Sequence, residues 1–374
     1  MLTAEDPPAK RIIFFIYSMS GGGAERVTSH MASYWASKGH SITLITYTSA
    51  DNNRYELPDN VRTCSLDIDY PSSGVLSAIA NNFKRITTVR SKLKELQPHV
   101  VISMMATANI LTALACIGLG IKTIGCERNY PGDDDTPSGW KLLRKRAYRL
   151  LNHVVAQTDQ GKSWLEENTN AQHCVSIPNP IILPLPSFQP HLSPSHYAGQ
   201  NIVLGVGRLT DQKQFSHLIH AFSKIAIDHP QWKLIILGDG EQRQQLQALV
   251  ESLSCSEQIE LPGRAGNIAD WLKIAEIFVL SSRTEGFPNA LIEAMAHNTA
   301  VISYDCKTGP NEIIEHGVNG LLVSPNDEAK LTSDLNTLIK NEPQRVAFSR
   351  EAEKIKNKLD INTIMKSWDA LVSR

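Results

Sequence analysis

Short apolar runs alternate with amphipathic stretches along most of the chain. The runs have the length of strands and lack polar alternation, which is typical of strands buried on both faces. They are residues 12–17, 41–47, 99–105, 122–127 and 153–158, followed by 201–207, 233–240, 259–263, 277–282, 300–305 and 320–324. Helical patterns follow several of them, at 24–37, 215–229, 242–252 and 288–296. This order predicts parallel sheets covered by helices.

A proline-rich stretch divides the alternation into two halves. Residues 178–195 contain six prolines, which exclude a helix or a central strand because proline fixes φ and lacks a backbone donor. We therefore predict an α/β protein with two doubly wound, Rossmann-like domains that face each other across a cleft. We predict an N-terminal domain at 1–178, a linker at 179–198 and a C-terminal domain at 199–350. A C-terminal helix within 351–374 is predicted to pack back on the N-terminal domain.

Composition and charge are those of a globular protein without a nucleic-acid partner. The 374 residues are 42% hydrophobic and 20% charged, with a formal net charge of -1, whereas a general nucleic-acid binder needs a strong positive excess. The six cysteines form no C-x-x-C pair and match no zinc or haem pattern. The apolar run at 12–17 is too short for the core of a signal peptide. The apolar run at 110–121 is too short to span a membrane. We expect a cytoplasmic protein.

A glycine-rich loop follows the first predicted strand and opens a helix. Gly21, Gly22 and Gly23 allow backbone N–H groups to approach a phosphate or a sugar at the positive end of that helix. A dinucleotide fingerprint would need glycine at position 26, where Arg26 stands. The alternative interpretation is a tight turn between strand and helix.

Two cations follow the first strand of the second half. Arg208 and Lys213 are five residues apart at a predicted strand end beside a helix start. Arginine chelates phosphate oxygens and lysine supplies a point charge, so the pair suits a diphosphate. Ordinary surface charge is the alternative.

The segment from Glu285 to Glu293 carries two carboxylates eight residues apart. They bracket a glycine turn and a helix start, and Pro288 suits the first helical turn. Carboxylates accept hydrogen bonds from sugar hydroxyls, and the free backbone N–H groups near residues 286–289, where only Pro288 lacks one, suit a sugar or a phosphate. Two solvated glutamates beside a helix cap are the alternative.

Residues 140–149 carry five cations and no acid, interleaved with leucine and aromatic residues at helical spacing. This pattern is typical of a basic amphipathic helix that rests on anionic lipid or binds diphosphates. A solvated face of a domain helix is the alternative.

A run of three aspartates, Asp133 to Asp135, contains the D-x-D spacing that holds a divalent cation in one class of sugar transferase. Such a site ends an apolar strand, whereas this run follows a turn-rich sequence. A solvated loop is the preferred interpretation.

Together these segments resemble the GT4 family of nucleotide-sugar glycosyltransferases, which have the two-domain GT-B fold. The resemblance covers nearly the whole chain and is strongest from Val203 to Pro325. There the segments GVGRLTDQKQ, LIILGDGE, IELPG, VLSSRTEGFPNALIEAMA and GPNEIIEHGVNGLLV occur in family order. The N-terminal SGGGAERV and GCERNYPG segments resemble bacterial members that extend lipid-linked oligosaccharides, lipopolysaccharide or exopolysaccharide.

The resemblance implies a role for each candidate residue. Arg208 and Lys213 would bind the donor diphosphate, and Glu293 would hold the ribose hydroxyls. Glu285 and the backbone of the next four residues would hold the transferred sugar; these four are Gly286, Phe287, Pro288 and Asn289. The loop of Gly21, Gly22 and Gly23 would shape the donor phosphate and acceptor side. Asn311 and Glu312 belong to a family segment near the donor.

Two positions depart from the family pattern. Many members read Q-K-G where this chain has Gln212, Lys213 and Gln214, so glutamine replaces the glycine of the turn. A histidine that is frequent in the first domain is absent, and Glu127 or Arg128 occupies its place. Either of these residues could contact the acceptor or the donor.

The resemblance implies a retaining, metal-independent hexosyl- or N-acetylhexosaminyltransferase that needs no cofactor. We expect a UDP-sugar donor and a hydroxyl of a glycan acceptor linked to polyprenyl diphosphate. Residues 141–149 would contact the inner face of the cytoplasmic membrane. The alternatives are a non-catalytic protein that binds nucleotide or carbohydrate, and a GT-B nucleotide-sugar epimerase.

Overall fold

The computed structural model describes residues 8–49, 57–71, 73–133 and 138–373. The chain divides into two compact units. The first unit comprises Met1–Asn179 and Ile364–Arg374, and the second comprises Pro180–Thr363.

The first unit is built on a parallel sheet of seven strands in the order β3-β2-β1-β4-β5-β6-β7. Its elements are β1 (Arg11–Ile16), α1 (Gly23–Ser37), β2 (Ser41–Thr46), β3 (Val61–Ser65), α2 (Val75–Leu96), β4 (Val100–Met104), α3 (Ala106–Ala115), β5 (Lys122–Cys126), α4 (Ser138–Ala147), β6 (His153–Ala156), α5 (Asp159–Asn168) and β7 (Cys174–Ser176). The strand order reverses between β1 and β4, as in a doubly wound sheet.

The second unit is built on a parallel sheet of six strands in the order β10-β9-β8-β11-β12-β13. Its elements are β8 (Asn201–Val206), α6 (Phe215–Ser223), β9 (Trp232–Leu237), α7 (Arg243–Glu251), β10 (Ile259–Gly263), α8 (Ile268–Leu272), β11 (Ala275–Leu280), α9 (Asn289–Ala296), β12 (Ala300–Tyr304), α10 (Pro310–Ile313), β13 (Leu321–Val323), α11 (Glu328–Lys340), α12 (Glu342–Glu353) and α13 (Ile355–Lys358). The predicted parallel α/β sheets are therefore confirmed in both halves of the chain.

The last helix, α14 (Ile361–Ser373), lies mostly in the first unit. Its buried face includes Trp368, and the indole N–H of Trp35 on α1 donates to Asp369 at 2.7 Å. Lys10 donates to the carbonyl of Val372 at 2.6 Å. A helix leaves its last carbonyls unsatisfied, so this cation stabilises the C-terminal end of α14.

The proline-rich segment predicted as a linker is hydrogen-bonded to the second unit. Ile181 N–H donates to the carbonyl of Leu359 at 2.8 Å. The indole N–H of Trp271 donates to the carbonyl of Leu192 at 3.0 Å, and Leu192 N–H donates to Asn267 at 3.0 Å. These bonds satisfy backbone groups that the prolines exclude from a helix or a sheet.

No helix among residues 8–49, 57–71, 73–133 and 138–373 is long and apolar enough to cross a membrane.

Candidate active site

Three loops of the second unit meet at the carboxyl ends of β8, β11 and β12. These strands are neighbours in a parallel sheet, so the loops that follow them share one edge. The loops are residues 207–214, 281–288 and 305–309. They contain most of the residues that the sequence predicts for the donor.

Hydrogen bonds join the first two loops. Arg283 N–H donates to the carbonyl of Gln212 at 2.8 Å, and the Gln212 amide donates to the carbonyl of Thr284 at 2.7 Å. Ser281 Oγ donates to the carbonyl of Lys213 at 2.8 Å. The loops therefore hold Lys213 and Glu285 in a fixed relation, although the two residues are 72 positions apart.

Lys213 and Glu285 form a short ion pair. Lys213 Nζ lies 2.5 Å from Glu285 Oε1, and the two side chains are 17% and 9% exposed. Thr308, from the third loop, donates its hydroxyl to the carbonyl of Glu285. The pair is charge-assisted and largely shielded from water, which strengthens it and fixes both side chains.

Arg208 lies exposed just beyond the end of β8. Its side chain makes no hydrogen bond or ion pair with any residue that the structure describes. Glycines bring another loop against the backbone on both sides of it: a Cβ at Gly238 would lie 1.8 Å from the carbonyl oxygen of Gly207, and one at Gly240 would lie 2.5 Å from that of Leu209. The backbone is thus held in place while the cation is left available for an anion.

Helix α9 begins directly after the Glu285 loop. Phe287 and Pro288 are buried, and Glu293 is buried in the second turn of the helix. Gly309 packs against this turn, because a Cβ there would lie 2.7 Å from Pro288 Cδ and 3.1 Å from the carbonyl oxygen of Gly286. The N-cap residue of α9, Pro288, makes no side-chain cap hydrogen bond, and the N-terminus of a helix is a favourable place for a polar ligand.

Gln214 takes the left-handed conformation, with φ 46° and ψ 42°. This is the position where many family members carry glycine, the residue that adopts this conformation without strain. The Gln214 amide donates to Asn326 Oδ1 at 2.8 Å. The departure at this position therefore leaves the turn in a conformation that glycine would also adopt.

Asn311 and Glu312 lie on the short helix α10, which follows Gly309. Asn311 is exposed, and Glu312 is partly buried. The structure thus places them beyond the third loop of the same sheet edge.

The other predicted site residues lie in the first unit. Gly21 has φ 111°, and Gly22 precedes the first residue of α1, Gly23. The Glu25 carboxylate lies over this turn, 2.5 Å from where a Cβ on Gly22 would be. A side chain at position 22 would displace this carboxylate from the first turn of α1, where it is favourable.

Glu127 is buried at the end of β5 and has partners inside the first unit. The hydroxyl of Tyr148 donates to its carboxylate, and Arg144 Nη1 lies 3.8 Å from Glu127 Oε1. Asn109 Nδ2 donates to the Tyr148 oxygen at 3.1 Å. Burial, together with the neighbouring Glu127 charge, raises the pKa of the Tyr148 hydroxyl well above its usual value. Glu127 therefore holds α4 and the residues after it against the sheet.

Arg128 is also buried, and its guanidinium donates to Asn179 Oδ1. Gln157, which follows β6, donates its amide to the same oxygen at 2.8 Å. Gln157, Asn179, Tyr148 and Thr308 were not predicted as site residues from the sequence. Gln157 and Thr308 carry one usable signal, since Gln157 directly follows the buried strand β6 and Thr308 lies in the loop after the buried strand β12.

The basic segment at 141–149 divides into an inward and an outward face. Arg144 is 2% exposed, and its guanidinium lies 5.1 Å from the centre of the Trp164 ring. The outward face combines cations with apolar side chains; its exposed members are Lys141, Leu142, Leu143, Lys145, Arg146 and Arg149.

Within the described ranges, no group of three or more histidine, cysteine, aspartate or glutamate side chains is arranged to hold a metal ion. Asp134 and Asp135 of the predicted solvated loop lie outside the described residues.

Two doubly wound parallel sheets in succession agree with the GT-B fold that the resemblance implies. The chain belongs to glycosyltransferase family 4. The family model described as Glycosyltransferase Family 4 matches residues 21–183, and the model described as Glycosyl transferases group 1 matches residues 191–355. The resemblance seen in the sequence is therefore confirmed.

Two curated relatives come from Campylobacter jejuni. The N-acetylgalactosamine-N,N'-diacetylbacillosaminyl-diphospho-undecaprenol 4-alpha-N-acetylgalactosaminyltransferase is 34% identical over 361 residues, covering 92% of this chain and 94% of the relative. The GalNAc-alpha-(1->4)-GalNAc-alpha-(1->3)-diNAcBac-PP-undecaprenol alpha-1,4-N-acetyl-D-galactosaminyltransferase is 27% identical over 365 residues, covering 97% and 98%. Among solved structures, Anabaena HepE in complex with UDP has a TM-score of 0.77 at 18% identity, covering 97% of this chain and 99% of HepE. HepE therefore shares the fold.

Proposed function

We propose that the protein is a retaining glycosyltransferase that moves a sugar from a UDP-sugar to a hydroxyl of a lipid-linked glycan in bacterial glycan assembly. The proposal rests on one observation. The exposed Arg208, which has no partner among the described residues, lies at the same sheet edge as the Lys213–Glu285 ion pair. The reaction would take place on the inner face of the cytoplasmic membrane.

The donor diphosphate binds Arg208 and Lys213. In the transition state the sugar becomes oxocarbenium-like, and negative charge grows on the departing diphosphate. Preorganised cations and helix N–H groups stabilise such charge, each donor contributing about 3–4 kcal/mol. The leaving phosphate accepts the proton of the acceptor hydroxyl, so no enzyme nucleophile and no metal ion takes part.

The sugar and the nucleoside bind residues around the start of α9. The Glu285 carboxylate accepts hydrogen bonds from hydroxyls of the transferred sugar, and backbone groups of residues 286–289 form further hydrogen bonds with this sugar. The Glu293 carboxylate accepts hydrogen bonds from the ribose hydroxyls. Asn311 and Glu312 lie near the donor. Thr308 positions the Glu285 backbone by donating its hydroxyl to the Glu285 carbonyl.

The relatives support the classes of transferred sugar and acceptor. Both transfer N-acetylgalactosamine, and both are named for glycans on undecaprenol diphosphate. Their products are alpha-linked, as is the sugar in UDP-N-acetylgalactosamine, so transfer with retention accounts for the linkage. We therefore propose an N-acetylhexosaminyl or hexosyl group as the sugar moved by this chain.

The first unit takes the acceptor, and its loop of Gly21 to Gly23 shapes the donor phosphate and acceptor side. The outward face of α4 brings the protein to a bilayer, because its exposed cations attract anionic headgroups while Leu142 and Leu143 enter the interface. Arg144 belongs to the fold and not to this face.

The test is turnover by the full chain with UDP-N-acetylgalactosamine and an undecaprenyl-diphosphate-linked oligosaccharide, with and without EDTA. We expect acceptor-dependent UDP release and an alpha-linked product in both conditions. Panels of UDP-, GDP- and ADP-sugars extend the test to other donors. Nucleotide binding without turnover would point to a binding protein, and an isomerised donor formed without acceptor would point to an epimerase. Either result would overturn the proposal.

A further inference from the structure

Arg128 is a buried cation without a counter-ion in the described structure. It is 6% exposed, and no carboxylate of the described residues forms an ion pair with it. Its Nε is fully buried and has no hydrogen-bond partner. Asn179 Oδ1, a neutral oxygen, receives the hydrogen bond from Nη2.

The other buried arginines of the first unit are satisfied by the fold. Arg85 donates from all three of its nitrogens, to the carbonyls of Ile68 at 3.1 Å and Tyr70 at 2.6 Å and to Asn82 at 2.8 Å. Arg144 pairs with Glu127. Arg128 thus differs from both in its lack of compensation, and not in its burial.

An uncompensated buried cation is expensive for a fold to keep. Desolvation without a partner disfavours the charged form, and burial lowers the pKa of Arg128 to about 10, with the nearby Cys126 opposing the shift. Glu127 does not offset this cost, because its carboxylate is engaged by Tyr148 and Arg144. The missing partner is therefore an anion that no residue of the described structure supplies.

Gln157 adds a second requirement. It is 6% exposed and donates to the same Asn179 oxygen, while its own Oε1 is buried without a partner. The cluster therefore presents an unused donor on a cation and an unused acceptor on an amide. A ligand that satisfies both has an oxyanion and a hydroxyl close together, as a glycosyl phosphate does.

We propose that Arg128 and Gln157, positioned by Asn179, form an oxyanion subsite of the first unit that holds a phosphate group of a glycosyl phosphate. Arg128 binds a phosphate oxygen, and Gln157 Oε1 accepts from a hydroxyl of the attached sugar. The identity of the ligand as a substrate phosphate rests on the proposed function. It has two sources, the diphosphate of the lipid-linked acceptor and the diphosphate of the donor.

The test uses inorganic pyrophosphate and glucose 1-phosphate as probes and follows the thermal unfolding of the full chain. Arg128→Met is compared with Arg85→Met, a matched loss of a buried arginine. We expect both probes to stabilise the wild type and Arg85→Met, and the Kd to rise at least about tenfold in Arg128→Met, as for loss of charge-assisted hydrogen bonds. Gln157→Met should weaken glucose 1-phosphate more than pyrophosphate.

Saturating UDP separates the two sources. Arg128-dependent pyrophosphate binding that persists with UDP assigns the subsite to the acceptor, and binding that UDP abolishes assigns it to the donor. Equal binding by Arg128→Met and the wild type would overturn the proposal. If Arg128→Met does not fold, Arg128→Lys and Gln157→Met carry the same comparison, and unchanged Kd values in both would overturn it. A chain that binds pyrophosphate through Arg128 but never UDP would contradict the proposed function alone.

Discussion

The Lys213–Glu285 pair offers a quantitative test of how burial sets the cost of breaking an ion pair. At 2.5 Å, two unit charges attract by about 7 kcal/mol at an effective dielectric constant of about 20. Desolvation offsets most of this attraction, but removal of one partner strands the other charge. That costs about 3–5 kcal/mol for a fully buried pair, and the 17% and 9% exposure here places the expected loss near the lower end.

The same loops contain a matched control. Arg283 Nη1 and Asp211 Oδ2 are 2.6 Å apart, but their side chains are 55% and 69% exposed. Exposed pairs contribute only about 0–1 kcal/mol, since water solvates either charge when its partner is removed. Arg283→Met should therefore cost less than about 1 kcal/mol, whereas Lys213→Met should cost about 3 kcal/mol.

Differential scanning calorimetry of the wild type, Lys213→Met, Glu285→Gln, Arg283→Met and the double variant Lys213→Met/Glu285→Gln checks this prediction. A loss of about 3 kcal/mol lowers the melting temperature by roughly 6–12 °C in a unit of this size. The double variant should recover part of that loss, because no charge is left buried alone. If Lys213→Met and Arg283→Met melt together, or if the double variant shows the sum of the single losses, the reasoning from burial is refuted.

Four further outcomes are expected. Arg208→Ala should lower kcat for UDP release about 10²–10³-fold with an unchanged melting temperature, because Arg208 is exposed. Gln214→Val should melt below Gln214→Gly by the equivalent of about 1–2 kcal/mol, since a β-branched residue is strained in the left-handed region. Burial lowers the pKa of His30 from 6.5 to about 4, and nearby Arg26 adds to the shift. The unfolded chain therefore binds this proton more tightly than the folded chain, so the free energy of unfolding should fall as the pH drops from about 6.5 to 4. Urea titrations should show a less steep fall in His30→Gln. Lys145→Glu should weaken flotation with anionic vesicles about tenfold, whereas Arg144→Gln, which changes the inward face, should not.

The buried strands are predictable because burial on both faces leaves a continuous apolar run. The runs at 41–47 and 122–127 correspond to β2 at Ser41–Thr46 and β5 at Lys122–Cys126. The edge strand β3 carries no such signal, since only its first residue is buried. Helix α2 was also not predicted from the pattern. Its exposed Leu76, Ile79 and Phe83 add apolar positions outside the buried face and blur the helical period.

The candidate site is predictable in position but not in pairing. Polar residues after buried strands of a parallel sheet lie at one edge, which is enough to bring Arg208, Lys213 and Glu285 into one region. Which of the two cations pairs with the carboxylate depends on hydrogen bonds between loops, such as that from Ser281 to Lys213. Those bonds follow from loop conformation, which has no periodic signal in the sequence.

The inward and outward faces of the basic segment could not be predicted from the sequence for the same reason. Five cations in ten residues predict a charged helix, but the helical period alone does not show that Arg144 turns inward to Glu127. The inward position depends on a carboxylate supplied by another element, β5, and on the ring of Trp164 on α5.

Five cations of the two units differ in whether described residues provide them with hydrogen-bond or ion-pair partners. Arg85, Arg144 and Lys213 have partners that account for their burial, so their presence is explained by stability. Arg208 is exposed and Arg128 is buried, yet neither has a carboxylate partner in the described structure. Water solvates the exposed Arg208 at little cost, whereas burial of Arg128 without a carboxylate lowers stability. Under the proposed function, the diphosphate groups of donor and acceptor need positive charge that stays free for ligands, and we propose these two arginines for that role.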